Sequence, residues 1–204
     1  MIEIIVSFAL ATSILSISPG PDNIFVLTQS IVNGTKYGLA TVFGLMTGCL
    51  VHTTLIAFGV SAIIKENENF FFVIKVIGAS YLIFLAYRVF KGDSKILLSN
   101  DTIKKESVFQ LFKKGFIMNV LNPKVALFFL AFFPQFLYSK SISTIIQFYT
   151  LGGVFILVSF IIFGIIAVLA GSISNYLKQN SQVGFYLKWG QIIVFVFIAI
   201  MILL

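Results

Sequence analysis

Charged residues are not spread along this chain as they would be over the outer faces of soluble helices. They gather in short intervals between apolar stretches of 20 or more residues. Cutting the chain at those intervals predicts six spans, near Ile4–Leu27, Tyr37–Ile64, Phe70–Phe90, Gly115–Tyr138, Ile145–Ser172 and Val183–Leu204. Lys188 interrupts the last of them, and the roughly 16 residues from Trp189 onward would reach only about 24 Å, short of the roughly 30 Å hydrocarbon core. Lys188 is therefore expected to extend its ammonium to the interface, where Trp189 also sits.

Composition moves the reading further from a soluble domain. Of 204 residues, 59% are apolar and 10% charged, and the mean hydropathy is +1.05, which excludes a large soluble core. The net charge of +7 does not point to nucleic acid, because no basic stripe with interleaved aromatics lies outside the connecting loops. It is explained by topology. Loops one, three and five carry Lys36, then Arg88, Lys91, Lys95, Lys104, Lys105, Lys113 and Lys114, then Lys178 and Lys188; loops two and four carry only Lys65 and Lys140. Basic loops stay in the cytoplasm, so both termini are expected outside it. Ile4–Leu15 has the length of a signal-peptide core and Ser16-Ile17-Ser18 has the form of a cleavage site, but no basic segment precedes it. It is read as a retained span. Cys49, the only cysteine, lies in an apolar stretch and is read as a small core residue. The 24 phenylalanines are read as compositional bias and indicate no site.

Loop three divides the spans into two sets of three, and an odd number per half makes related halves inverted in the membrane. The expected fold is an all-α integral membrane protein: six transmembrane helices in two inverted three-helix repeats, with helices one and four broken near the midplane. Residues 1–204 form one transmembrane domain, with repeat one at about 1–90, a cytoplasmic loop at about 91–114 and repeat two at about 115–204. Similarity between the halves concentrates where Ser18-Pro19-Gly20-Pro21 in one is matched by Asn122-Pro123-Lys124 in the other.

Pro19 and Pro21 flank Gly20 well inside a span, where each proline removes a helix hydrogen bond and glycine loosens the backbone. The helix should break there and restart at Pro21, leaving N–H groups that protein, water or a ligand must satisfy. In the fourth span Asn122 is a good cap and Pro123 a good first helical residue. Two such termini suit an anionic group, although a pair of ordinary proline kinks would show the same sequence. Four ionisable residues lie within spans: Asp22, His52, Lys75 and Lys124. Each charge costs about 2.5–3.5 kcal/mol at a helix centre and requires a reason. Asp22 and Lys124 directly follow the two breaks. They either pair with each other, joining span one to span four, or contact the cationic and anionic groups of a solute such as an amino acid. His52 continues a face with Gly44 and Gly48; it is a candidate for relaying protons, with a buried packing role as the alternative. Lys75 is placed to snorkel.

Enzyme readings are weak. A zinc site of the H-E-x-x-H kind needs two histidines and the chain has one, and Gly78-Ala79-Ser80 is a lone G-x-S among membrane glycines. No catalytic residue, cofactor or resident metal is expected.

Several motifs together resemble the lysine exporter (LysE/RhtB) family of bacterial amino-acid efflux carriers. They are Ser18-Pro19-Gly20-Pro21-Asp22, the glycines Gly34, Gly38, Gly44 and Gly48 leading to His52, Gly78-Ala79-Ser80-Tyr81-Leu82, and Asn122-Pro123-Lys124 continuing to Phe128-Phe129 and Pro134-Gln135-Phe136. The resemblance implies a bacterial inner-membrane exporter of amino acids or their derivatives, driven by the proton motive force, and the two inverted halves with broken helices imply alternating access. On that reading Pro19, Gly20, Pro21, Asp22, Asn122, Pro123 and Lys124 bind the solute, and His52 and Asp22 couple protons. The partners are then a small zwitterion, protons, the lipid bilayer and, compatibly, further copies of the chain. A metal-ion efflux carrier and a nontransporting membrane scaffold are the alternatives.

Overall fold

The computed structural model describes residues 2–18, 20–61, 68–92, 106–179 and 182–203. Pro19, Lys65, Glu66, Lys95, Lys104 and Lys105 lie outside the described residues. Every regular element among the described residues is helical: α1 (Ile2–Ile17), α2 (Pro21–Asn33), α3 (Thr35–Leu55), α4 (Glu68–Lys91), α5 (Val108–Val120), α6 (Pro123–Leu127), α7 (Thr144–Val168), α8 (Ala170–Gln179) and α9 (Val183–Leu203). A π-turn, Ile56–Val60, extends α3, and a π-turn and a 3-10 turn, Phe128–Phe132 and Phe133–Phe136, extend α6. Four of these helical stretches are long and apolar enough to cross a bilayer, and six do so if each bent pair counts as one span. The bent pairs are α1 with α2, at 61°, and α5 with the Pro123–Phe136 segment, at 47°.

Several boundaries differ from the sequence expectation, each for a local reason. The first span runs past Leu27 to Asn33, and the chain turns at Gly34, whose φ of +101° is accessible chiefly to glycine. The fourth starts at Val108, inside the expected loop of 91–114, because Ser107 and Gln110 form a reciprocal capping box. Lys113 and Lys114 are therefore helical, and Lys114 pairs with Glu106 at 2.6 Å. The fifth ends at Val168, and α8 is a separate helix packed on α2. The sixth is a continuous helix of 21 residues, about 31 Å at helical rise. Lys188 does not interrupt it: its ammonium donates to the Gly92 carbonyl at 2.7 Å, just beyond the end of α4.

The surface and interior are sorted as bilayer solvent requires. Leu10, Phe43, Leu50, Phe72, Leu157 and Ile193 point outward, while Asp22, Gln29, His52, Asn119 and Gln147 are buried. α3 lies along α5, α4 along α9, and α7 against both α3 and α1. Glycine sets the α3–α5 distance reciprocally: a Cβ on Gly44 would fall on the Phe112 carbonyl, and one on Gly115 on the Thr41 carbonyl. Phe8, Phe128, Phe129, Phe132, Phe133 and Phe155 fill the bundle beyond the second break. Phe129 stacks on Phe133 at 4.0 Å, and Phe8 meets Phe133 edge-on at 4.7 Å. Six of the 24 phenylalanines set aside as compositional bias thus form a buried plug.

Candidate functional site

A broken helix leaves carbonyl groups at the end of its first half without partners, and in a low-dielectric bundle each must be satisfied. At the first break side chains do this. Asn23 Nδ2 donates to the Ser16 carbonyl at 2.7 Å, and Lys124 Nζ, arriving from the other break, donates to the carbonyls of Leu15 and Ser18 at 3.3 Å each. The Lys124 ammonium therefore sits on the negative end of α1, where the helix dipole favours a cation. It also lies 5.5 Å from the centre of the Phe195 ring on α9.

At the second break, Asn122 serves both sides. Its Oδ1 accepts from the Lys124 backbone N–H at 3.0 Å, capping α6, and its Nδ2 donates to Asp22 Oδ2 at 2.8 Å. Asp22, in the first turn of α2, is buried. The direct Asp22–Lys124 ion pair offered by the sequence is not made: among the described residues only Lys114 and Glu106 come within ion-pair distance. The two charges instead line one cavity, Asp22 held by the Asn122 amide and the Lys124 ammonium by the end of α1. One expected free N–H is also absent, since Asn122 takes that of Lys124. Gly20 is extended, at φ −160° and ψ 179°, so its backbone does not require glycine; an added Cβ would touch Lys124 Nζ at 3.5 Å.

Two spaces meet at these residues. A narrow cavity of about 30 Å3, lined among others by Asp22, Asn23, Cys49, Asn119, Asn122 and Lys124, holds about one or two waters. A wider one of about 380 Å3 lies on the other side of Gly20, Pro21, Asn122 and Lys124, against Tyr81 and Arg88 of α4 and Gln191 and Phe195 of α9. Of the sequence candidates, Gly20, Pro21, Asp22, Asn122, Pro123 and Lys124 line one or both, and Pro19 lies outside the described residues. His52 lines neither. It is buried one layer behind, where Nε2 bonds the Asn119 carbonyl at 3.0 Å and the ring packs on Phe129. A carbonyl only accepts, so Nε2 carries the hydrogen.

Asn119 was not singled out by sequence. Its Oδ1 is buried without a partner and it lines the narrow cavity, opposite Gly48, whose missing side chain makes room for it at 2.7 Å. A polar residue one turn before Asn122, in an otherwise apolar stretch, was the available signal. Arg88 was assigned to topology alone.

Comparison with known proteins identifies relatives over most of the chain. The family described as LysE type translocator matches residues 13–204. A homoserine/homoserine lactone efflux protein of Salmonella typhimurium is 31% identical over 86% of this chain and 84% of its own length, and one of Salmonella typhi gives the same figures. An uncharacterized membrane protein of Vibrio cholerae is 29% identical over 67% of this chain and 66% of its own. No solved structure matches.

Proposed function

Because this chain belongs to the LysE-type translocator family, a family of transporters and not of enzymes, we propose that it exports an amino acid or amino-acid derivative across the bacterial inner membrane, holding it between Asp22 and Lys124. The observation that carries this reading is the pairing of opposite charges at two helix breaks around one cavity. Asp22 offers a carboxylate to the ammonium of a zwitterion. Lys124 offers an ammonium to its carboxylate, and Asn122 holds the Asp22 carboxylate in place. Gly20, Pro21 and Pro123 line the space between, with Pro19 completing the first break. The two Salmonella relatives, named for homoserine and its lactone, make homoserine the first solute to test.

The solute crosses by alternating access between two inverted repeats, α1 to α4 and α5 to α9. The packing supports this pairing. Each broken span restarts with a proline, Pro21 or Pro123. His52 on α3 bonds α5 just before its break, and Ser159 on α7 bonds Ser16 of α1 just before the other, at 2.9 Å. Lys36, Arg88, Lys91, Lys113 and Lys114 all belong to the ends assigned to the cytoplasm. The wide cavity runs toward that side along Arg88 and Gln191, whereas the phenylalanine plug closes the other. The state is inward-facing. Closure of α4 and α9 over the breaks, with parting of the plug, gives the outward one.

Proton coupling uses Asp22, whose negative charge a proton can replace when the solute leaves, and His52 behind Asn119. Solute binding is tested by thermal unfolding of the detergent-solubilised protein against a panel of amino acids. A carrier gains RT ln(1 + [L]/Kd) from its solute, about 2.7 kcal/mol at a hundredfold excess over Kd. A scaffold is indifferent to all of them, and that result would sink the proposal.

A further inference from the structure

Arg88 stands on the wall of the wide cavity, on α4, facing the helix breaks. Among the described residues it pairs with no carboxylate; its guanidinium lies 6.0 Å from the centre of the Phe84 ring. The cavity wall also carries Tyr81, Gln191 and Asn122, and among the described residues its charged members are Arg88 and Lys124. The space is about 380 Å3, against about 30 Å3 around Asp22, so in this state a solute fits the wide cavity and not the narrow one. Four residues, Gly20, Pro21, Asn122 and Lys124, line both. A solute in the wide cavity is thus already against the wall behind which Asp22 waits.

We propose that this cavity is a cytoplasmic loading site in which Arg88 captures the carboxylate of a zwitterionic amino acid and rejects solutes whose side chain is cationic. The inference rests on the export reading and adds to it an approach site and a substrate class. Two cations, with no acidic side chain among the described residues of the wall, create a positive field in a partly dehydrated space, which attracts a carboxylate and repels a second ammonium. A planar guanidinium can grip that carboxylate with two parallel hydrogen bonds. Transfer follows when the carboxylate passes from Arg88 to Lys124 and the ammonium reaches Asp22 past Asn122. A neutral side chain stays in the wide cavity beside Tyr81 and Phe195. A lysine or arginine side chain would place its charge there, near Arg88.

A basic residue one turn from a helix end can also serve as a membrane anchor, and the test separates the two roles. Inside-out vesicles carrying the full-length chain are given labelled L-homoserine, with unlabelled L-threonine or L-lysine as competitor. In the wild type, threonine competes and lysine does not. Arg88→Gln raises the half-saturating concentration about tenfold at unchanged maximal rate, the loss expected of one charge-assisted contact in a partly solvated site. Arg88→Lys restores part of the affinity, and Arg88→Glu admits lysine as a competitor. If Arg88→Glu does not accumulate in the membrane, Arg88→Gln with Arg88→Lys decides the question. Transport whose half-saturation and lysine exclusion ignore Arg88 overturns the loading site alone. A wild type that moves none of these amino acids overturns the export reading and the loading site with it.

Discussion

Lys124 holds the first break together as well as facing the solute, and replacing it separates those roles. Its ammonium donates to the Leu15 and Ser18 carbonyls. Hydrogen bonds to a charged group contribute about 1.5–3 kcal/mol each, and abandoned buried carbonyls cost about 1–3 kcal/mol. Both bonds are long, at 3.3 Å, so the low end applies to each, and Lys124→Met should cost about 3 kcal/mol in all. For a chain of this size that is a fall of roughly 6–12 °C in Tm. Methionine keeps the aliphatic stem beside Phe195, so lost packing contributes little. Asp22→Asn behaves differently: the new side chain still offers an oxygen to Asn122 Nδ2, and Tm should move by less than about 3 °C. The assay is thermal unfolding in detergent with no solute present. A Lys124→Met protein that melts with the wild type would refute the assignment of Lys124 as the cap of α1.

Other consequences follow from the same packing. Gly44→Leu should drive α3 from α5 against the Phe112 carbonyl and cost about 3 kcal/mol or more, whereas Gly59→Ala, which meets nothing within 4 Å, should leave Tm unchanged. Gly34→Ala should cost about 1 kcal/mol, from the positive φ at the α2–α3 turn, measured by the same melting assay. His52→Gln retains a side-chain N–H for the Asn119 carbonyl and should fold normally. Its export rate should lose the pH dependence that histidine coupling predicts, and a wild-type pH profile in this variant would remove His52 from the proton path.

Hydropathy alone located every long helix, because a chain in a bilayer cannot expose its backbone and so declares each span by apolar length. The positions of both breaks were legible for the same kind of reason: Pro21 and Pro123 cannot continue a helix from before them. What lay beyond reach was the pairing across them. Sequence placed Asp22 and Lys124 beside the breaks and suggested that they meet. Only the packing shows Asn122 bound to Asp22 and Lys124 turned onto the end of α1. Nor could periodicity distinguish Arg88 as a cavity residue from Arg88 as a loop marker, since one turn of helix separates the roles. The capping box at Ser107 and Gln110 was readable in principle, yet the charges at Lys113 and Lys114 concealed it within an apparent loop.

In the proposed cycle an amino acid crosses the membrane through the site at Asp22. Proteoliposomes loaded with labelled L-homoserine test it most directly, by efflux under an imposed proton gradient, with wild type and Asp22→Asn reconstituted at equal density. The wild type should release the solute and Asp22→Asn should retain it while remaining folded. Equal efflux from both would contradict the site, and no efflux of any amino acid from the wild type would contradict the function.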